Sequence, residues 1–133
     1  MGDAVLVQPP SLLIADDDYD FRETLRDVFA PRGFRTLLAS DGDEALHILE
    51  EEPVHLLLVD MHMPRLTGLE VARRVQESRV AIPWILLSAA LDESIVREAQ
   101  EAEAFSVLAK PVRFAQITAV VADAMRSRYN WYR

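Results

Sequence analysis

Five short apolar runs punctuate the chain: Leu12-Leu13-Ile14-Ala15, Thr36-Leu37-Leu38-Ala39, Leu56-Leu57-Leu58-Val59, Trp84-Ile85-Leu86-Leu87 and Val107-Leu108-Ala109. Each is too short for a helix and continuous rather than alternating, the pattern of a strand covered on both faces. Between them apolar residues recur at helical spacing. Phe21, Leu25, Val28 and Phe29 form one stripe, Ala45, Ile48 and Leu49 a second, and Leu69, Ala72 and Val75 a third. Ile95, Val96 and Ala99 form a fourth, and Phe114, Ile117, Val121 and Ala124 a fifth. Asp18, Asp41, Thr67 and Asp92 stand where side-chain caps would open the first four helices. Gly33 fits a turn after the first helix, and Pro53 and Pro83 fall just before strands, where a helix could not continue. Alternation of this kind predicts an α/β fold: a five-stranded parallel sheet joined by right-handed crossovers, with helices on both faces.

The 133 residues suffice for one such unit, and half of them are apolar, so the chain can bury a sizeable core. A formal charge of -8 argues against direct binding to nucleic acid, which needs clustered Lys and Arg against phosphate, and against an anionic membrane surface. With no cysteine there is no disulfide framework and no thiolate metal site, which fits a reducing, cytoplasmic setting. Residues 1–10 lack the basic flank and long apolar core of a signal peptide, and no run approaches the roughly 18 apolar residues of a membrane span. We therefore expect an N-terminal arm over 1–10, one domain over 11–127 and a C-terminal tail over 128–133. Aromatic Tyr129, Trp131 and Tyr132 in that tail would cover the domain or fray, with a homodimer contact as the alternative.

In a parallel sheet of this kind, ligands bind beyond the carboxyl ends of the strands. Those ends carry Asp16-Asp17-Asp18 after the first strand, Asp60 after the third, Ser88 after the fourth and Lys110 after the fifth; Ser40-Asp41 after the second is assigned to helix capping. Lys110 is the only lysine beside thirteen arginines. It offers a compact charge on a flexible stem where arginine would offer a planar fork. Clustered carboxylates repel one another, and hard oxygen ligands with open positions suit Mg2+, which accepts phosphate oxygens. Asp60 could then attack a phosphoryl group, with Ser88 and Lys110 holding the oxygens on which negative charge accumulates. Taken singly, the acidic triplet reads as a solvated turn and Ser88 as a structural hydroxyl; His47 and His55 read as surface histidines without partners. The specificity lies in the combination.

Four motifs carry a resemblance over about Ser11 to Ser127: Leu12-Leu13-Ile14-Ala15-Asp16-Asp17-Asp18, Asp60-Met61-His62-Met63-Pro64 with Gly68 beyond it, Leu86-Leu87-Ser88-Ala89, and Lys110-Pro111. With these the chain resembles the receiver domain of bacterial two-component response regulators. The resemblance implies a flavodoxin-like receiver fold with strand order 2-1-3-4-5. It implies phosphorylation of Asp60 by a sensor histidine kinase or phosphotransfer protein. Mg2+ would be bound by Asp17, Asp60 and the backbone carbonyl of His62, with Asp16 acting through water. Ser88 would bond the phosphoryl group, Lys110 would pair with it, and the Lys110-Pro111 peptide would be cis. Such a protein is a phosphoacceptor rather than an enzyme, and passes its state to a downstream target or output domain. The chain would be a free-standing receiver or a piece of a longer protein.

The chain departs from that pattern in two places. Val107 stands where the family usually has Tyr or Phe, and Phe105 is the nearest aromatic residue in sequence. Glu103 replaces the usual Gly before the fifth strand, so a different loop backbone is expected there. His62 and Ala90 occupy the two variable positions that, in the family, influence the lifetime of the phosphoryl group. Two other functions compete. Asp16-x-Asp18 after an apolar strand echoes a haloacid-dehalogenase-like phosphohydrolase with Asp16 as nucleophile, although Tyr19-Asp20 stands where a Gly-Thr pair is typical. The other is a receiver fold used only for docking. A flavin-binding flavodoxin is excluded because three aspartates would repel the phosphate its first loop must cradle.

Overall fold

The computed structural model describes residues 9–78 and 81–132, and most of the expected arm, residues 1–8, lies outside them. Five strands form one parallel sheet: β1 (Ser11–Ala15), β2 (Arg35–Ala39), β3 (Leu56–Asp60), β4 (Trp84–Ser88) and β5 (Ser106–Ala109). Their order is β2-β1-β3-β4-β5, with every neighbouring pair parallel. The helices are α1 (Tyr19–Phe29), α2 (Gly42–Glu51), α3 (Gly68–Glu77), α4 (Glu93–Glu101) and α5 (Phe114–Tyr129), with a short 3-10 turn, Ala30–Arg32, after α1. Strand order and helix sequence agree with the expected receiver fold.

The two-residue period of each strand divides the core in two. Leu12 and Ile14, Leu56 and Leu58, and Ile85 and Leu87 face the side covered by α1 and α5, where they meet Leu25, Phe29, Ile117, Val121, Ala124 and Met125. Leu13, Leu57, Val59, Trp84 and Leu86 face α2, α3 and α4, against Ala45, Leu69, Val71, Ala72 and Ala99. Burying each large side chain contributes about 1.5–3 kcal/mol before entropy is counted.

Full cover on both faces holds for β1, β3 and β4 only. At the two edges of the sheet, β2 and β5 are partly exposed, because each lacks a neighbour on one side. The expected stripe on α5 also needs correcting at its start. Phe114 is 50% exposed at the first position of the helix, and Met125 near the far end is buried instead.

All four expected caps form. The side chains of Asp18, Asp41, Thr67 and Asp92 accept from the backbone N–H groups of Phe21, Glu44, Glu70 and Ile95. Thr67 and Glu70 complete a reciprocal capping box, and accepting the backbone and side-chain bonds of Thr67 holds the Glu70 carboxyl below the usual range. Gly33 adopts the left-handed conformation in the turn before β2.

Residues 128–133, read as a tail, begin inside α5, which ends at a left-handed Asn130. The reversal there lets the Trp131 N–H donate to Met125 O and brings its ring 4.9 Å from that of Phe34. Tyr129 Oη donates to the carbonyl of His55 at 2.6 Å. This end of the chain covers the domain, with Tyr132 left exposed. The same contacts overturn the reading of His55 as a partnerless histidine: its Nδ1 accepts from the N–H of Ser11 at 2.9 Å, and its ring meets the ring of Tyr129 edge-on at 5.5 Å.

Candidate functional site

The residues singled out at strand ends converge at one rim of the sheet. Asp16 follows β1 directly, anchored where its N–H donates to Ala39 O of β2 and its carbonyl accepts from Arg22 Nη1 at 2.7 Å. Asp60 is the last residue of β3, opposite Leu87 of β4, and Met61 N–H donates to Leu87 O at 2.8 Å. Ser88 closes β4 opposite Ala109 of β5, and Lys110 N–H donates to Ser88 O at 2.9 Å. The strand register alone therefore brings residues far apart in sequence to neighbouring positions.

Asp16 and Asp60 are only 1% and 5% exposed, while Asp17 faces solvent. One oxygen from each of Asp16, Asp17 and Asp60 lies within 4.8 Å of the others. Lys110 crosses from β5 to place Nζ 2.5 Å from Asp16 Oδ2 and 3.1 Å from Asp60 Oδ1. The other oxygen of Asp16 accepts from the Asp18 N–H at 2.9 Å. Burial and the neighbouring charge of Asp16 push the carboxyl pKa of Asp60 upward, more than the hydrogen bond and charge of Lys110 pull it down. Burial alone would lower the ammonium of Lys110; its bonds and attraction to Asp16 and Asp60 outweigh that and raise it.

Ser88 is fully buried, and its Oγ accepts from the N–H of Ala90 at 3.2 Å. His62 is exposed in the loop beyond β3, which is tied down where Gly68 N–H donates to Met61 O. A side chain at Gly68 would place Cβ 2.5 Å from Asp60 O, so only glycine lets α3 start this close to the strand end. Ala90 is also exposed, and the Lys110-Pro111 peptide is cis, as the resemblance implied.

Two contacts at the site were not foreseen. The ring of Phe21, read only as a core residue of α1, lies 4.3 Å from Lys110 Nζ, and Arg22 holds the Asp16 carbonyl. Both come from the first turn of α1, whose cap at Asp18 sets the helix directly beside the acidic loop. Phe105 lies at the other end of the sheet, lining a cleft with Trp84 and Arg128, so it does not stand in for the absent ring at Val107. Glu103 corrects a further expectation. Its φ of 64° is the left-handed geometry a glycine would take, so the loop keeps a glycine-type backbone with a glutamate in it.

Together these features define a doubly wound α/β domain with an acidic pocket and a lysine at the carboxyl ends of its strands. The profile of the response regulator receiver domain matches residues 12–122, and the chain belongs to that family. It is 33% identical over 119 residues to sporulation initiation phosphotransferase F of Bacillus subtilis, covering 90% of this chain and 96% of that protein. It is 32% identical over 113 residues to a probable chemotaxis protein CheY of Rhizobium etli, covering 83% and 88%. Against response regulator RR06 of Streptococcus pneumoniae, 29% identical over 119 residues, it covers 90% of itself but spans only 54% of the relative. A solved receiver domain of the Francisella response regulator 1452 superposes with a TM-score of 0.81 at 26% identity, covering 90% of this chain and 99% of that one. The chain is thus a receiver domain of the two-component type, with a phosphoacceptor role in signalling.

Proposed function

We propose that Asp60 is the phosphoacceptor and that it takes its phosphoryl group from a phosphohistidine on a sensor histidine kinase or phosphotransfer protein. One carboxylate oxygen of Asp60 forms the new O–P bond as the donor's N–P bond breaks, and the electron pair of that bond returns to the imidazole nitrogen. Lys110, held between Asp16 and Asp60, is poised to follow the charge onto the phosphoryl oxygens, and the Ser88 hydroxyl is assigned to donate to another of them. The observation that carries the reading is the 3.1 Å approach of Lys110 Nζ to Asp60 Oδ1 inside a pocket that otherwise disfavours a charged carboxylate.

The donor set fits Mg2+: three carboxylates with oxygens within 4.8 Å carry more negative charge than one ammonium offsets. Asp17, Asp60 and the His62 carbonyl would hold the ion, with Asp16 acting through water. Bound there, it supplies charge neutralisation and polarisation of the phosphoryl oxygens. A change in the loops carrying Ser88 and Lys110 would then shift a two-state surface near α4, β5 and α5, with coupling of about 1–3 kcal/mol, toward a downstream protein or output domain.

Asp16 is a poor candidate for the nucleophile of a phosphohydrolase, because Asp18 N–H and Lys110 already occupy its two oxygens. Incubation with acetyl phosphate and Mg2+, followed by intact-mass measurement, tests the assignment. One phosphoryl mass should be gained by the natural chain and by Asp16→Asn, more slowly in the latter, and none by Asp60→Asn. Gain by Asp60→Asn with loss in Asp16→Asn would reverse the roles.

A further inference from the structure

Lys110 has two carboxylates on one side and the face of an aromatic ring on another. Nζ lies 2.5 Å from Asp16 Oδ2, 3.1 Å from Asp60 Oδ1 and 4.3 Å from the centroid of Phe21. The lysine side chain is 17% exposed, and Phe21 is itself partly buried, packed against the core between the sheet and α1. A cation over a ring at this distance is attracted by the negative π face, the more so when partly shielded from water. The ring also limits where the ammonium can swing. A lysine stem has several rotatable bonds and loses much freedom when confined to one geometry, and the carboxylates alone leave one side of Nζ open.

We propose that Phe21 is a positioning residue for Lys110. It caps the open side of the ammonium and keeps it directed at Asp60, where phosphoryl charge would accumulate. The inference rests on the function proposed above for its consequence, but the contact itself can be tested without Mg2+ or a phosphoryl donor. The arrangement has a sequence origin: Asp18 caps α1, the helix begins at Tyr19, and its first turn presents Phe21 toward the end of β5. A helix opening one residue later would carry the ring away from the lysine.

Lys110 is the only lysine in the chain, so labelling with 13C-lysine yields a single set of side-chain resonances. In the metal-free protein, the ε-methylene protons of Lys110 should be shifted upfield by the ring current of Phe21. Phe21→Leu should abolish the shift and Phe21→Tyr should keep it. In the acetyl phosphate reaction with Mg2+, Phe21→Leu should lower the phosphorylation rate about three- to tenfold, with Phe21→Tyr within about twofold of the natural chain. Thermal unfolding of both variants controls for loss of packing. An unshifted resonance in the natural chain overturns the proposal, as does an equal loss of rate in the Leu and Tyr variants, which would mark a packing effect alone. An unchanged rate in Phe21→Leu overturns it as well. If the natural chain takes no phosphoryl group, the assignment of Asp60 fails, whereas the ring-current shift still reports separately on the contact.

Discussion

Asp60 sits in surroundings that favour its neutral form while the proposed chemistry needs its charged one. Burial and Asp16 raise its pKa, and Lys110 offsets them only in part. A carboxyl whose folded pKa lies above its unfolded value binds protons more readily when folded, so stability falls as pH rises from the unfolded value through the folded one and stays reduced above it. Asp60→Asn removes the penalised charge. At pH 7 in EDTA this variant should therefore melt at a higher temperature than the natural chain, and the gap should narrow as pH is lowered toward 4. A lower melting temperature for the variant would mean that the ion pair with Lys110 outweighs the burial cost. His62 and Ala90, both exposed beside the site, should tune the outcome rather than permit it. Exchanging either is expected to change the dephosphorylation rate and leave phosphorylation intact, and the idea is discarded if neither single substitution moves the rate.

Helix starts were legible because a cap is a local event: Asp18, Asp41, Thr67 and Asp92 each need only the N–H groups of the next turn. Whether a strand is central or at an edge depends on sheet order, which no single apolar run encodes, so the partial exposure of β2 and β5 was not readable. Glu103 shows a different limit. Its residue type argued against a glycine-like loop, yet the chain must leave α4 and enter β5 there, where Ala104 N–H bonds to Ala99 O, and the backbone turns left-handed regardless. A non-glycine residue in that region costs about 1–2 kcal/mol, part of which glycine returns as unfolded-state entropy. Glu103→Gly should therefore raise the unfolding free energy by about 0.5–1 kcal/mol in urea titration. A loss of stability would show that the glutamate side chain contributes more than its backbone costs.

Across the whole molecule, two cores on either side of one sheet bring the acidic loop, Asp60, Ser88 and Lys110 to the same rim, and alternation of strands and helices was enough to foresee that convergence. The placement of Phe21 beside Lys110 was not foreseeable, because it depends on how α1 crosses the sheet relative to β5. At the opposite end of the molecule, Tyr129 and His55 join the last helix to the start of β3. Burial lowers the His55 pKa, so on acidification the unfolded chain takes up a proton near pH 6.5 before the folded one does. Stability should decline as pH falls below about 6.5, and this component should vanish in His55→Gln. Burial raises the Tyr129 hydroxyl, so a second decline is expected above about pH 10, absent in Tyr129→Phe. Matching pH profiles for the natural chain and His55→Gln would remove His55 from the account.

The central claim, that the strand ends assemble a pocket in which Asp60 becomes an acyl phosphate, is tested most directly by locating the modified carboxyl. Protein treated with acetyl phosphate and Mg2+ can be reduced with borohydride, which converts an acyl phosphate to an alcohol, and then digested and sequenced by mass spectrometry. The account predicts a single reduction mark, at Asp60; a mark at Asp16 or Asp17 with Asp60 unaltered would contradict it.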